Sequence, residues 1–280
     1  MEILLDAMLD TLIDTAKLVP FLFVAFSLME YLEHKISAKV KRSITKAEKF
    51  GPIIGSLLGA VPQCGFSVLA SNFYVGRIIS LGTLISIYLS TSDEMLPILV
   101  GSNAPIGDIL KILSIKVAVG MVAGMIIDAV YHPKRKRNYE VCADEHRHHH
   151  EPIIKSSLIH TLKTAAYIAV ITFVLDLLFD VVGQNAVSRL FLVGNIFAPL
   201  VSALIGLIPN CGASVMITEL YLKNVISMGT CIGGLLTGAG VGLLILFRNN
   251  KDKAENVRIM LIIYLIGAIV GTTLNIVGLQ

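Results

Sequence analysis

Apolar residues in this chain run in long blocks, without the short alternation of a soluble fold. Six blocks approach the roughly 20 apolar residues that a bilayer-crossing helix needs. They cover about 17–31, 78–100, 109–130, 164–179, 225–247 and 259–277, and each predicts a spanning helix. The first and fourth are the shortest. Two further apolar blocks, 50–74 and 197–221, are broken at their centres by similar motifs, Pro62-Gln63-Cys64-Gly65 and Pro209-Asn210-Cys211-Gly212. Proline removes a backbone donor and clashes with the preceding turn. Glycine then lets the chain reorient. An arm of about 11 residues extends about 16 Å as helix, half a bilayer core.

The two broken blocks belong to an internal repeat with an offset of 147 residues. Between 52 and 83 the gap-free register gives 13 identities in 32 positions, among them Pro52/Pro199, Gly59/Gly206, Cys64/Cys211, Ser67/Ser214, Tyr74/Tyr221 and Gly82/Gly229. Repeats of this kind, duplicated around interrupted helices, are a sequence signature of secondary transporters.

Polar residues add a topology. Basic residues gather in three places: Lys35 to Lys49, Lys134 to Arg147, and Arg248 to Arg258. Cytoplasmic loops carry such an excess. The first two basic loops lie on one face only if 50–74 dips in and returns rather than crossing. The expected fold is therefore an all-α polytopic membrane protein of two inverted-topology repeats. Each repeat has three spanning helices and one re-entrant helical hairpin. Residues 1–131 form the first repeat, 132–156 a cytoplasmic basic and His-rich linker, and 157–280 the second repeat. Both termini then lie outside a cell (plasma or inner) membrane. Glu2, Asp6, Asp10 and Asp14 stand where a cleaved leader would carry Lys or Arg, so no leader is expected.

Composition agrees. The chain is 55% hydrophobic and 15% charged, with mean hydropathy +0.77, against about 45–50% and about 25% in soluble domains. A net charge of +3 is too small to suggest nucleic acid. Four cysteines without regular spacing do not make a disulfide scaffold. Trp is absent, and Tyr31, Tyr74, Tyr131 and Tyr221 sit near block ends, where interfacial Trp is common.

Two half-depth hairpins entering from opposite faces would bring their tips together in mid-membrane. Freed backbone groups there need protein, water or a solute as partner. The candidate substrate-binding residues are Pro62, Gln63, Cys64, Gly65 and Ser67, with Pro209, Asn210, Cys211, Gly212 and Ser214. Two thiolates suit soft ions and metalloids, although cysteine is also a well-packing core residue. Asp93 and Glu94 lie within an apolar block, where a carboxylate is costly and marks function. They are candidates for direct metal binding, with Cys64 and Cys211, or for carrying a coupling proton. The other reading is that they reach interfacial water. Their counterparts are Gly240 and Val241, so any such role belongs to one half. Lys116 is a candidate counter-charge. In the linker, Cys142, His146, His148, His149 and His150 offer a second metal site, or simply a solvated tract.

These motifs resemble a known family. Val61-Pro62-Gln63-Cys64-Gly65-Phe66-Ser67, Thr91-Ser92-Asp93-Glu94, Ile208-Pro209-Asn210-Cys211-Gly212-Ala213-Ser214, Thr218-Glu219-Leu220-Tyr221 and 237–244 resemble the ten-helix heavy-metal exporters. That family is related to arsenic-efflux permeases, and its members are also labelled manganese transporters. The resemblance spans nearly the whole chain and implies efflux of a heavy metal or metalloid. The expected partners are the bilayer, the transported species and a coupling ion such as the proton. No cofactor beyond the cargo is expected. A second expectation is transport of small sulfur or oxo anions held by the hairpin tips. No nucleotide-binding or hydrolase motif appears, so an enzyme is not expected.

Overall fold

The computed structural model describes residues 50–131 and 197–278, apart from 63, 93 and 210, and thirteen scattered positions in 19–27 and 158–173. Among the described residues every regular element is a helix. Five come from the first half: α1 (Gly51–Gly59), α2 (Cys64–Val75), α3 (Leu81–Ser90), α4 (Met95–Gly101) and α5 (Ile106–Val130). Five come from the second: α6 (Ala198–Gly206), α7 (Cys211–Leu222), α8 (Met228–Thr237), α9 (Val241–Asn249) and α10 (Lys253–Val277). Four of the five pairs start 147 residues apart: Gly51 and Ala198, Cys64 and Cys211, Leu81 and Met228, Ile106 and Lys253. The α4/α9 pair is one residue out of step. The register read from the identities is therefore also a register of helix boundaries.

Each broken block breaks where its motif stands, between Gly59 and Cys64 and between Gly206 and Cys211. Two blocks expected to be continuous, 78–100 and 225–247, are also broken. One is interrupted between α3 and α4 at Thr91–Glu94, the other between α8 and α9 at Gly238–Gly240. The physical reason differs. Hydroxyls turn back on the chain at the first break: Thr91 donates to the Ile87 carbonyl and Ser92 to that of Ser90. Such local bonds compete with the helix ladder. At the second break Gly240 has φ 53 and ψ −145, a conformation that suits only glycine.

Ser80 and Ser227 start α3 and α8. Each accepts from the backbone N–H three residues on, at Thr83 and Thr230. The long helices close the same caps. Ser80 donates to Asp128 near the end of α5, and Ser227 donates to Asn275 near the end of α10. Within each half, α3 packs on α1 and α5, and α8 packs on α6 and α10. Small residues set the spacing. A Cβ on Gly124 would lie 2.6 Å from the Gly82 carbonyl oxygen, and one on Gly271 would lie 2.8 Å from the Gly233 Cα. Close backbone approach over small residues is how membrane helices gain packing energy.

Among the described residues three apolar helical stretches are long enough to cross a membrane: Ile106–Val130, Met228–Asn249 and Lys253–Val277. The middle one is 72% buried, whereas the other two are 28% buried, so α5 and α10 are the more exposed of the three. Their exposed faces are apolar at helical spacing: Val122, Ile126 and Val130 on α5, and Val257, Leu261, Leu265 and Ile269 on α10. That is the surface a lipid-facing helix presents.

Contacts between halves are reciprocal. The second arm α2 packs on α9 of the other half, and its counterpart α7 packs on α4. The helices α3 and α8 meet between them.

Candidate functional site

The two unexpected breaks meet at a small cavity. It is lined by Thr91, Ser92, Met95, Lys116, Ser214, Leu235, Gly238 and Gly240. Thr91 and Gly238 are counterparts in the repeat, so the cavity lies at the junction of the halves. It encloses about 10 Å³, roughly the room of one water-sized centre. Irregular backbone in a membrane protein is tolerated where it is buried in protein or lines a polar space, and both conditions hold here.

Lys116 reaches this point from the middle of α5. It is 1% exposed, and its ammonium donates to the Leu235 carbonyl at 2.5 Å. That carbonyl belongs to the last turn of α8, where the helix leaves carbonyls without intrahelical partners and a cation is favoured. A first-half charge thus caps a second-half helix. Glu94 precedes α4 and is 2% exposed. It accepts from the Ser214 hydroxyl at 3.4 Å, a long hydrogen bond that again joins the halves. Thr218 donates to the Ser214 carbonyl one turn away.

The counterpart region is filled. The repeat puts Ile263 at the position of Lys116, Val241 at that of Glu94 and Tyr88 at that of Leu235. Tyr88 is fully buried, with its hydroxyl 2.6 Å from that of Ser71. Ser71 in turn donates to the Gly242 carbonyl at 2.7 Å. Ser67, the counterpart of Ser214, is buried against Gly242, where a Cβ on the glycine would come within 2.7 Å.

The sequence-derived candidates fare unequally. Ser214 and Glu94 are brought together, and Ser67 lies on the opposite side, outside the cavity wall. Pro62 and Pro209 sit in the bends before α2 and α7. Cys64 and Cys211 are the first residues of those helices, followed by Gly65 and Gly212. Gln63, Asn210, Asp93 and the linker residues Cys142, His146, His148, His149 and His150 fall outside the described residues. Among the described residues no group of three or more His, Cys, Asp and Glu side chains could hold a metal. Lys116 had only a secondary place in the sequence reading. Its signal was available: a lysine deep in an apolar block.

A second polar cluster ties the halves together at one end of the helices. Tyr74, at the end of α2, donates to Glu255 at 2.8 Å. Arg77 makes two bonds to the same carboxylate, at 3.3 and 3.2 Å, and Asn250 adds a third donor. Burial works against the Arg77 charge, but the hydrogen bonds and field of Glu255 raise its pKa above the usual guanidinium value. At the counterpart position Tyr221 lies beside Asp108, and Asn224 stands in place of Arg77.

Long apolar helices around a buried polar junction define a multi-pass helical membrane protein. The family model described as "Putative, 10TM heavy-metal exporter" matches residues 1–175, and the chain belongs to that family. The match covers the first half, the linker and the start of the second half, so the motifs at 208–221 and 237–244 lie beyond it. No curated protein and no solved structure matches the chain.

Proposed function

We propose that this protein is a secondary transporter that exports a heavy metal or metalloid, of the arsenic or manganese type, by alternating access at the junction of its halves. The observation that carries this reading is the polar cavity between the two helix breaks, with Lys116 and Glu94 reaching across the halves. Inverted topology has support from the contacts at the helix ends. Asp128, near the end of α5, bonds Ser80, and Glu255, near the start of α10, bonds Arg77 three residues earlier. Asn275, near the end of α10, bonds Ser227, and Asp108, near the start of α5, lies beside Tyr221. Counterpart helices running in opposite senses account for all four contacts. Re-entrance also has support. Gly51 lies at Thr83 and Gly59 at Ser90, so α1 advances along α3, while the return of α2 is joined to the start of α3 by residues 76–80 alone.

In this reading the central linker and the basic loop before α10 are cytoplasmic. Cys64 and Cys211 contact the cargo at the first turns of α2 and α7, with Gln63, Ser67, Asn210 and Ser214 beside them. Asp93 and Glu94 bind a cation or carry the coupling proton. The test is efflux of Mn²⁺, Cd²⁺ and arsenite from sealed vesicles holding the purified full chain, compared with the double variant Cys64→Ala, Cys211→Ala. Efflux of at least one ion that drops tenfold or more in the variant is expected. Efflux of none defeats the transport reading, and unchanged efflux in the variant defeats the thiol contact.

A further inference from the structure

Four exposed cations gather where α9 ends and α10 begins: Arg248, Lys251, Lys253 and Arg258. None of the four makes a hydrogen bond or ion pair among the described residues. The acids of the same stretch are engaged in other ways. Asp252 caps α10 by accepting from the Glu255 N–H at 3.1 Å, and the Glu255 carboxylate is held by Tyr74, Arg77 and Asn250. A net positive surface remains. The counterpart end has none. The repeat puts Gly101, Ala104 and Ile106 at the positions of Arg248, Lys251 and Lys253, and Lys111 at that of Arg258. Lys111 is already paired with Asp108 at 3.2 Å.

The charge adjoins an apolar surface. Arg258 heads an exposed stripe of α10, with Leu261, Leu265 and Ile269 following at helical spacing, 51%, 54% and 61% exposed. From Lys253 to Arg258 the helix rises about 7–8 Å, close to the headgroup layer on one side of a bilayer, about 5–8 Å. We propose that this corner, the α9–α10 turn with the first turns of α10, is a binding site for an anionic phospholipid. The inference goes beyond the transport reading and does not depend on it. Phosphate oxygens meet lysine and arginine through charge-assisted hydrogen bonds, and basic clusters beside a spanning helix attract anionic headgroups. An acyl chain covers the stripe below. A soluble acidic partner satisfies the cations but leaves the stripe bare. A zwitterionic lipid covers the stripe but brings a cation of its own to the patch. Glu255 lies on the same first turns and holds Tyr74 and Arg77 of the other half. A lipid bound at Lys253 and Arg258 therefore steadies the helix start that ties the halves together.

The test uses the purified full chain in detergent. Phosphatidylglycerol is the anionic probe, phosphatidylcholine the zwitterionic one and inorganic phosphate the free anion. Retained lipid is counted by native mass spectrometry, and the melting temperature is followed in parallel. The wild-type protein is expected to retain phosphatidylglycerol at least fivefold over phosphatidylcholine and to melt several degrees higher with it. The triple variant Lys251→Gln, Lys253→Gln, Arg258→Gln is expected to lose that preference, whereas Lys111→Gln at the counterpart position keeps it. Equal retention of the two lipids by the wild-type protein overturns the proposal whether or not the variants fold. So does a preference that survives in the triple variant, or one that falls as far in Lys111→Gln and so follows net charge alone. An equal thermal shift from inorganic phosphate overturns the lipid as occupant. A lipid-free dimer that is lost in the triple variant assigns the surface to a second copy of the chain instead.

Discussion

The two sides of the central junction were built on one plan and now do different things. On one side a lysine and a glutamate cross between the halves beside a cavity. On the other, Ile263 and the ring of Tyr88 occupy the matching positions as packed core, and Val241 stands in place of the glutamate. The frame that carries these residues has hardly moved, since four of five helix pairs keep the 147-residue register. Duplication thus fixed where polar groups can be placed in the membrane. Divergence then decided which of the two places kept them. A buried ion is expensive, and one such site needs fewer compensating contacts than two.

The comparison is broken most severely at the frame both sides share. Gly124 and Gly271 face carbonyls or Cα atoms of the neighbouring helix, with a Cβ held to 2.6 Å or 2.8 Å. Backbone cannot yield as a flexible side chain does. Gly124→Leu and Gly271→Leu are each expected to cost about 3 kcal/mol or more, seen as loss of the monodisperse peak in detergent gel filtration. Equal losses in the two halves support equal structural weight. Gly107→Ala, with nothing within 4 Å of its Cβ, is the neutral control.

The next test separates the two sides. Tyr88 is buried on the filled side, and its hydroxyl is held by Ser71. Tyr88→Leu installs the residue that its counterpart Leu235 already has. It removes a ring and one hydrogen bond, at a cost of about 2 kcal/mol. A lower melting temperature with unchanged cargo selectivity is expected. A change in selectivity would mean that both sides take part in binding.

Sequence reading reached the shared frame more easily than the asymmetry. The breaks before Cys64 and Cys211 were legible because proline and glycine act locally, and the repeat was legible because identities accumulate in one register. Glu94 stood out as a carboxylate in an apolar block. The breaks at Thr91–Glu94 and Gly238–Gly240 were not read as breaks, since hydroxyls and small residues leave an apolar run looking continuous. The meaning of Lys116 and Ser214 was hidden for a different reason. Their partners Leu235 and Glu94 lie 119 and 120 residues away, beyond the reach of any local pattern. The filling role of Tyr88 was equally invisible, because an aromatic in an apolar block has no distinguishing mark.

The smallest expected effect sharpens the comparison at the helix ends. Arg77 and Asn224 are counterparts, with φ of 58 and 54. Asparagine tolerates the left-handed region, while arginine pays for it. Arg77 is kept there for its two bonds to Glu255, a contact whose counterpart is the Tyr221–Asp108 pair without a guanidinium. Arg77→Asn relaxes the backbone but removes a partly exposed ion pair, with Arg77 19% and Glu255 8% exposed. Gain and loss nearly offset, and a net destabilisation of about 1 kcal/mol is expected, read as a small fall in melting temperature. Glu255 keeps Tyr74 and Asn250 as donors, so no bare buried carboxylate remains. A fall several times larger would show that the ion pair, rather than the tyrosine–carboxylate bond beside it, holds the halves together at this face.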